Sequence, residues 1–182
     1  MNNVKLNQYN NDEYHSGSAM KKTLWYFTNM FFFKTMLPFP SGMKVSILRA
    51  FGANISSGVV IKPDVNIKYP WFLEIGDDCW IGEGVWIDNL ATVKMGSNVV
   101  LSQDAYLLTG SHDYKKQSFD LILGKIILED GVWIGAKATV CPGVTCHSHA
   151  VLSVGSVATK GLEAYGIYQG NPAVKKRERK IA

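Results

Sequence analysis

Histidine is the residue type in this sequence best suited to proton transfer near neutral pH. The chain has four histidines, His15, His112, His147 and His149. A neutral imidazole can remove the proton from a hydroxyl group while that oxygen attacks a carbonyl carbon. His112 lies in the segment TGSHDY, directly before a stretch that departs from the surrounding repeat. It can therefore act as such a base, or it can be a surface side chain in a turn.

Polar residues near His112 in the repeat are candidates for substrate binding. Asp113 and Tyr114 follow it directly, and they can orient the base, contact a substrate or begin the loop. Asp88 and Asn89 precede residue 109 by about 20 residues, the length of one coil of the repeat described below, which puts them on the same side as His112. Asp and Asn also commonly fill turns. No Ser-His-Asp or Cys-His arrangement is evident, which favours direct transfer over a covalent enzyme intermediate.

A six-residue repeat positions these side chains. Large aliphatic residues recur at this spacing, and small or β-branched residues lie four positions after them. The first column is Ile55, Ile61, Ile67, Ile75, Ile81, Ile87, Met95, Leu101, Leu107, Leu128, Ile134, Val140, Cys146, Leu152 and Ala158. The second column is Val59, Val65, Cys79, Val85, Val99, Ala105, Ser111, Val132, Ala138, Val144, Ala150 and Ser156. This period predicts a mainly β fold, in which three hexads form one triangular coil of a parallel β-helix and neighbouring coils bury each other.

Three departures from the repeat divide the chain. Residues 1–45 are predicted to form a polar tail and an amphipathic aromatic helix, capped by Ser18 and ended by Pro38 and Pro40. The β-helix is predicted over residues 46–165, with an excursion loop at about 113–127, and a basic tail over 166–182. The predicted helix places Met20, Leu24, Phe27 and Phe31 on one face, widened by Trp25, Phe32 and Phe33, which either caps the open end of the β-helix or contacts a membrane surface.

Composition narrows the class of protein. The net charge of +4 comes entirely from the last eight residues, which is not the broad basic surface of a nucleic-acid-binding protein. We see no signal peptide, and the three cysteines form no C-x-x-C pair, so a cytoplasmic protein is expected, with peripheral membrane contact through the helix as an option. Cys146, His147 and His149 could ligate zinc, but Cys146 lies in the buried column, and no metal is expected.

Four segments resemble a known family. These are IKPDVNIKYPWFLEIGDDCWIG, LSQDAYLLTGSHDY, VWIGAKATVCPGVT and GNPAVKKRER, which together are similar to the acetyltransferases of colanic-acid biosynthesis among the hexapeptide-repeat acyltransferases. The resemblance covers roughly residues 45–180. It implies left-handed coils, a homotrimer with active sites between subunits, and acetyl-CoA as co-substrate, and it puts the catalytic histidine at His112.

The resemblance also implies a groove for coenzyme A along the C-terminal coils. The matching positions are Trp133, Gly135, Ala136, Thr159 and Lys160, with phosphate contacts from Lys160, Lys175, Lys176 and Arg177. A frayed, solvated tail is the alternative for residues 175–180. Gly161 departs from the family, whose members often carry Asp there, and so does CHSHAV, where Ile-Gly is expected.

The expected function is transfer of an acetyl group to a hydroxyl of a sugar, in bacterial exopolysaccharide biosynthesis. The sugar acceptor is either a small molecule or lipid-linked. Three alternatives stay open. They are an N-acetyltransferase acting on an amino sugar, a metal-dependent carbonic anhydrase that uses His112, His147 and His149, and a β-helix scaffold without catalysis.

Overall fold

A three-sided stack of short strands forms most of the chain. The computed structural model describes residues 3–182. The first face contains β1 (Asn54–Ile55), β4 (Leu73–Ile75), β7 (Val93–Met95), β12 (Ile126–Leu128) and β15 (Thr145–Cys146), in this spatial order. The second contains β2 (Val60–Ile61), β5 (Trp80–Ile81), β8 (Val100–Leu101), β13 (Trp133–Ile134), β16 (Val151–Leu152), β18 (Gly166–Gly170) and β19 (Ala173–Glu178). The third contains β3 (Asn66–Ile67), β6 (Trp86–Asp88), β9 (Tyr106–Leu108), β14 (Thr139–Val140) and β17 (Val157–Ala158).

The strand register confirms the predicted coil lengths. Ile55 pairs with Ile75 and Ile75 with Met95, a step of 20 residues in each case. Leu128 pairs with Cys146, a step of 18 residues. The parallel pairing of Met95 with Leu128 spans 33 residues, which is one 18-residue coil plus an excursion of 15. The excursion therefore leaves the stacking of the coils intact.

Both predicted columns point into the coil, with one exception. Every first-column side chain is at most 5% exposed, and the second column is at most 7% exposed apart from Ser111. Ser111 is exposed, so its assignment to the core was wrong. The physical reason is that the chain leaves the coil after Thr109, a buried residue whose hydroxyl donates to the carbonyl of Asp88 at 2.8 Å.

The corners of the coil use the left-handed backbone conformation. Asp64, Asp78, Asn98 and Asp104 have φ between 55° and 58°, and Gly58 and Gly84 occupy equivalent corners with φ of 70° and 69°. Asp and Asn tolerate this conformation better than most residues because their short polar side chains bond locally. The polar residues between the aliphatic columns thus shape each turn.

A hairpin forms the excursion. Strand β10 (Gly110–His112) pairs antiparallel with β11 (Leu121–Leu123), and His112 lies opposite Leu121. The excursion was predicted at residues 113–127. It begins earlier, at Gly110, and ends earlier, because Ile126 already pairs with Val93 in the coil. His112 is therefore the last residue of a hairpin strand, next to the hairpin loop.

Two α-helices precede the first coil, α1 (Ala19–Phe32) and α2 (Ser41–Ala50). Short 3-10 helices lie before α1, at Leu6–Gln8, and within the coils, at Pro70–Phe72. Ser18 caps α1 as predicted, because its hydroxyl accepts from the backbone N–H of Lys21 at 3.3 Å. Of the predicted apolar face, the flank through Trp25 and Phe33 is buried and the central stripe is not. Trp25 and Phe33 are at most 2% exposed, whereas Met20, Leu24, Phe27 and Phe31 are 56–81% exposed.

Side chains of these helices protect the open edge of the β-helix. An unpaired strand edge presents free carbonyl groups that need hydrogen-bond donors. Arg49 donates to the carbonyl of Ile55 at 2.7 Å, Lys44 to that of Lys62 at 2.8 Å, and Trp25 to that of Ile67 at 2.9 Å. The two helices thus cap all three faces of the first coil.

Two further segments differ from the sequence prediction. Helix α2, which the sequence did not indicate, begins after Pro40 and contains the predicted boundary between residues 45 and 46. Residues 166–182, predicted as a tail, include β18 and β19, which form an antiparallel hairpin on the second face. Within residues 3–182, no helix combines the length and hydrophobicity needed to span a membrane.

Candidate active site

The ring of His112 is held on two sides, next to the loop of the hairpin. It stacks on Phe119 with a centroid distance of 4.5 Å and an interplanar angle of 10°, and Tyr9 approaches it at 5.7 Å. Its Nδ1 atom lies 2.9 Å from the carbonyl oxygen of Phe119. Because a carbonyl oxygen can only accept, Nδ1 carries the proton in the neutral ring. Nε2 is then left with a free lone pair, the form that a general base requires.

Local contacts in the hairpin fix the position of the Phe119 carbonyl. Phe119 has a left-handed φ of 53°, which turns the chain back toward β10. The backbone N–H of Asp113 donates to the carbonyl of Asp120 at 2.8 Å, and Lys116 bonds to the Asp120 carboxylate at 3.0 Å. The hairpin therefore determines both the ring orientation of His112 and its tautomer.

His112 lines a cavity of about 520 Å³. Much of its wall comes from the N-terminal arm, which we define as residues 3–18. The arm is fixed at both ends, by the N–H of Lys5 on the carbonyl of Gln117 at 2.8 Å and by the hydroxyl of Tyr14 on the carbonyl of Leu90 at 2.7 Å. The lining residues are Tyr9, Asn11, Asp12, Tyr14, Ser16, Lys22, Lys68, Tyr69, Leu90, His112 and Leu121.

Sequence reasoning missed the arm as part of the site. Its residues are polar and follow no period, so no pattern in the sequence connects them with the coil. Burial, with lesser contributions from Tyr69 and Asp88, raises the pKa of Tyr14 well above its ordinary value. The Tyr14 hydroxyl thus stays protonated and acts as a donor.

Asp88 lies close to the cavity, among polar neighbours. Its Oδ2 atom lies 3.4 Å from the hydroxyl of Tyr106, and its Oδ1 atom lies 3.8 Å from Nζ of Lys68, a residue that lines the cavity. Burial, and secondarily the Asp88 charge, raises the pKa of Tyr106 to about 12. Within residues 3–182, Oδ1 is buried and accepts no hydrogen bond. Asp88 therefore retains acceptor capacity on the side of Lys68.

Asn89 and Asp113 have structural contacts in this chain, which is the alternative that the sequence left open for them. Asn89 is fully buried, and its amide accepts from the N–H of Tyr69 at 3.0 Å and donates to the carbonyl of Tyr69 at 2.6 Å. Asp113 accepts from the N–H of Lys115 at 3.1 Å within the hairpin, and Tyr114 is 75% exposed. None of these three lines the His112 cavity. In the described chain Asn89 joins two coils and Asp113 shapes the loop.

A second depression, of about 550 Å³, follows the second face near its C-terminal end. Four of the residues predicted to contact coenzyme A line it, namely Trp133, Gly135, Ala136 and Arg177. The indole N–H of Trp133 donates to the hydroxyl of Ser102 at 2.9 Å, which fixes the ring at the edge of the groove. The other lining residues are Ser102, Gln103, Val151, Leu152, Ser153, Val154, Ile167 and Arg179.

The packing of the coils also requires a glycine at position 135. A Cβ atom at this position would lie 2.7 Å from the backbone nitrogen of Val154 in the next coil, closer than real Cβ contacts. Glycine is therefore required for the coils to stack, whether or not a ligand approaches. The same close packing leaves backbone atoms near the groove surface.

The other residues predicted to contact coenzyme A lie outside this groove. Thr159, Lys160 and Lys176 are exposed but do not line it. Lys175 is paired with Glu163 at 2.7 Å and Glu178 at 2.6 Å, and these carboxylates raise its pKa. Arg177 and Arg179 supply the cationic side of the groove. Sequence reasoning missed Arg179, whose guanidinium also donates to the carbonyl of Gly131 at 2.8 Å.

The groove and the His112 cavity are separate within one chain, because no residue lines both. The CHSHAV segment also lies apart from His112. Cys146 is fully buried, and Nδ1 of His147 lies 2.9 Å from a carboxylate oxygen of Glu129. Among residues 3–182, no three His, Cys, Asp or Glu side chains are grouped so that they could hold a metal ion.

A solved structure shares this architecture. No protein-family model matches the chain. A solved structure of a hexapeptide-repeat acetyltransferase from Vibrio cholerae, in complex with acetyl-CoA, superposes with a TM-score of 0.80 at 21% identity and covers 92% of this chain and 93% of its own. This likeness confirms the predicted left-handed β-helix.

Two curated proteins are similar in sequence. Galactoside O-acetyltransferase from Escherichia coli K12 is 25% identical over 148 residues, which cover 80% of this chain and 73% of that protein. The colanic acid biosynthesis acetyltransferase WcaF from the same strain is 37% identical over 166 residues, or 91% of each chain. With this identity over nearly the full length of both proteins, the chain belongs to the hexapeptide-repeat acetyltransferases of the WcaF family.

Proposed function

We propose that this acetyltransferase moves an acetyl group from acetyl-CoA to a hydroxyl group of a sugar, with His112 as the general base. The observation that carries the proposal is the bond between His112 Nδ1 and the carbonyl of Phe119 at 2.9 Å. It leaves Nε2 as the basic nitrogen of a ring that lines a cavity large enough for a sugar.

The proposed reaction needs one proton acceptor. Nε2 of His112 takes the proton of the acceptor hydroxyl as its oxygen attacks the thioester carbon. The tetrahedral intermediate then collapses, and the bond from carbon to sulfur breaks. The imidazolium returns its proton to the departing thiolate, so the products are the acetylated sugar and free coenzyme A. No acyl-enzyme is involved.

Acetyl-CoA is proposed to bind in the groove on the second face. The flat Trp133 ring and the close-packed backbone at Gly135 and Ala136 suit the narrow pantetheine arm. Arg177 and Arg179 supply charge for phosphate groups. The superposed Vibrio cholerae protein was solved with acetyl-CoA, which supports the same donor here.

A homotrimer is the proposed assembly. Because the groove and the His112 cavity share no lining residue in one chain, the donor bound by one subunit would meet His112 of another. The resemblance to the family supports three subunits around an axis. We also propose a cytoplasmic location, since all three cysteines are free thiols, as is usual in a reducing compartment.

An amino sugar is the competing acceptor, because the same base can deprotonate an attacking amine. The experiment is a panel of neutral sugars, amino sugars and their phosphates, incubated with acetyl-CoA while free thiol is measured. Product analysis by NMR then distinguishes an ester from an amide. An ester formed only when His112 is intact supports the proposal. Thiol release only with amino sugars would replace it with N-acetylation.

A further inference from the structure

The N-terminal arm is held beside the His112 cavity by polar contacts rather than by apolar packing. Its apolar residues Val4 and Leu6 are 55% and 66% exposed. Among residues 3–18, only Ser16 is buried. Burial of apolar surface is the main favourable contribution to folding, and the arm adds little of it. Stability of the fold therefore does not explain why the arm lies next to the base.

A tight turn in the arm places Asp12 in the wall of the cavity. The N–H of Tyr14 donates to the carbonyl of Asn11 at 2.8 Å, which closes the turn, and the Tyr14 hydroxyl fastens it to Leu90. The side-chain amide of Asn10 donates to Oδ2 of Asp12 at 3.0 Å. The turn therefore holds the Asp12 carboxylate in a fixed direction before any ligand binds.

Asp12 keeps one carboxylate oxygen available to a ligand. In the described chain it is the one carboxylate that lines the His112 cavity. Within residues 3–182, its Oδ1 atom has neither a hydrogen-bond donor nor an ion-pair partner. A carboxylate accepts charge-assisted hydrogen bonds from hydroxyl groups, and these are stronger than bonds between neutral groups. Since a sugar carries its hydroxyls on a rigid ring, Asp12 can select among sugars by hydroxyl position.

Tyr9 adds an aromatic surface to the same wall. It lines the cavity and is half-buried, and its ring centroid lies 5.7 Å from that of His112 at an interplanar angle of 58°. The C–H bonds on one face of a sugar ring form an apolar patch, which can pack on an aromatic ring. An aromatic ring and an oriented carboxylate beside the base therefore fit a single sugar unit.

We infer that Tyr9 and Asp12 determine which sugar the enzyme accepts. The sugar packs an apolar face on Tyr9, donates one hydroxyl to Asp12 and presents another to Nε2 of His112. Specificity for the acceptor is then carried by the arm, whereas the hairpin supplies the base and the coils supply the frame. This inference rests on the proposed function, because it names the residues that select the acceptor of the same site.

Methyl glycosides of glucose, galactose and mannose are the probes, because each presents one sugar unit with a different arrangement of hydroxyls. NMR titration of the full chain should show binding of at least one of them. Tyr9→Ala should weaken that binding about fivefold or more, and Tyr9→Phe should preserve it, because phenylalanine keeps the aromatic surface. Binding of none of the three, or equal losses for the two variants, would overturn the inference.

Two neighbouring acidic residues provide a matched pair. Asp12 lines the His112 cavity, whereas Glu13 is exposed and does not line it. Asp12→Ala should weaken binding of the preferred glycoside about tenfold, and Glu13→Ala should leave it unchanged. One monodeoxy derivative of that glycoside should bind the wild type about tenfold more weakly than the parent, but Asp12→Ala should bind both equally. Similar losses for the two variants would indicate a general effect of charge and would contradict selection by Asp12.

Kinetics with acetyl-CoA separate this inference from its competitors. Tyr9→Ala should raise the KM for the glycoside with kcat nearly unchanged. A lower kcat at unchanged KM would mean that Tyr9 only positions His112, which would overturn the inference. Unchanged KM for both Tyr9→Ala and Asp12→Ala, with ester formation that requires His112, would refute the inference while the proposed function stands. Glycoside binding that depends on both arm residues, without acetylation of any sugar, would instead refute the proposed function.

Discussion

Nδ1 of His112 and the carbonyl oxygen of Phe119 are 2.9 Å apart, and the two rings stack at 4.5 Å. One residue thus supplies both the hydrogen bond that sets the tautomer and the surface that sets the plane of the imidazole. This contact joins His112, the last residue of β10, to Phe119, which lies in the hairpin loop just before β11. The base is therefore positioned by the hairpin rather than by the coil.

Replacing the base should affect turnover far more than donor binding. His112→Ala should lower kcat by about 10²–10⁴-fold, the usual contribution of a general base, with coenzyme A affinity nearly unchanged. Steady-state kinetics and calorimetry measure the two effects. His147→Ala is the control, because that histidine is half exposed and bonds to Glu129. Near-normal turnover by His112→Ala with a proven acceptor would contradict the mechanism.

A bulky side chain in the groove should block the donor. Ala136→Trp should weaken coenzyme A binding by about tenfold or more, because an indole would occupy the groove beside Trp133. Glu83→Trp is a matched control, because Glu83 has the equivalent position two coils earlier. Ile81 and Ile134 both pair with Leu101, and Glu83 and Ala136 follow Ile81 and Ile134 by two residues. Calorimetry should find Glu83→Trp unaffected. Equal affinities for the two variants would place the donor elsewhere.

Two of the three cationic residues on β19, Lys175 and Arg177, should contribute unequally to donor binding. Arg177 lines the groove, whereas Lys175 is already paired with Glu163 and Glu178. Arg177→Ala should weaken coenzyme A binding about tenfold at low salt, and less at high salt, because it removes a charge-assisted phosphate contact. Lys175→Ala should change the affinity little. A larger loss for Lys175→Ala would show that its ion pairs rearrange on binding.

Asn89 should matter for stability rather than for catalysis. Asn89→Ala would leave the N–H and carbonyl of Tyr69 without their amide partner, at a cost of roughly 2 kcal/mol in the free energy of unfolding. Asn54→Ala, at an exposed position of β1, should cost less than about 0.5 kcal/mol. Chemical denaturation measures both. An unchanged unfolding free energy with a raised KM for the acceptor would instead assign Asn89 to substrate binding.

The repeat made the coils predictable because the position of a residue within its hexad determines whether its side chain points into the coil. The inner columns, the coil lengths and the cap at Ser18 follow from residue type and spacing within a few positions. The exceptions occur where the chain leaves the repeat. Ser111 has the spacing of a core residue, but it lies in β10, whose partner strand is supplied by the excursion.

The helices and the arm were less predictable because their environment depends on tertiary contacts. The spacing of α1 suggested burial of the stripe through Leu24 and Phe27, but the buried side chains are Trp25 and Phe33. Trp25 packs on Phe33 and Phe51 and donates to the third face at Ile67. Pro40 marked the end of one helix, and it also precedes the start of α2. No local signal connects Tyr9 with His112, since 103 residues separate them (112 − 9).

The pairing of Lys5 with Gln117 has a consequence for the order in which the protein matures during synthesis. The arm leaves the ribosome before the coils, and the hairpin it contacts emerges more than a hundred residues after it. Coils of a solenoid contact mainly their neighbours, so they can stack as each is completed. The arm contacts the hairpin, which is distant in sequence, so it can dock only after the hairpin has been synthesised. A nascent chain thus builds its scaffold while His112 is still open to solvent, and the cavity closes only when the earliest residues return to a late one.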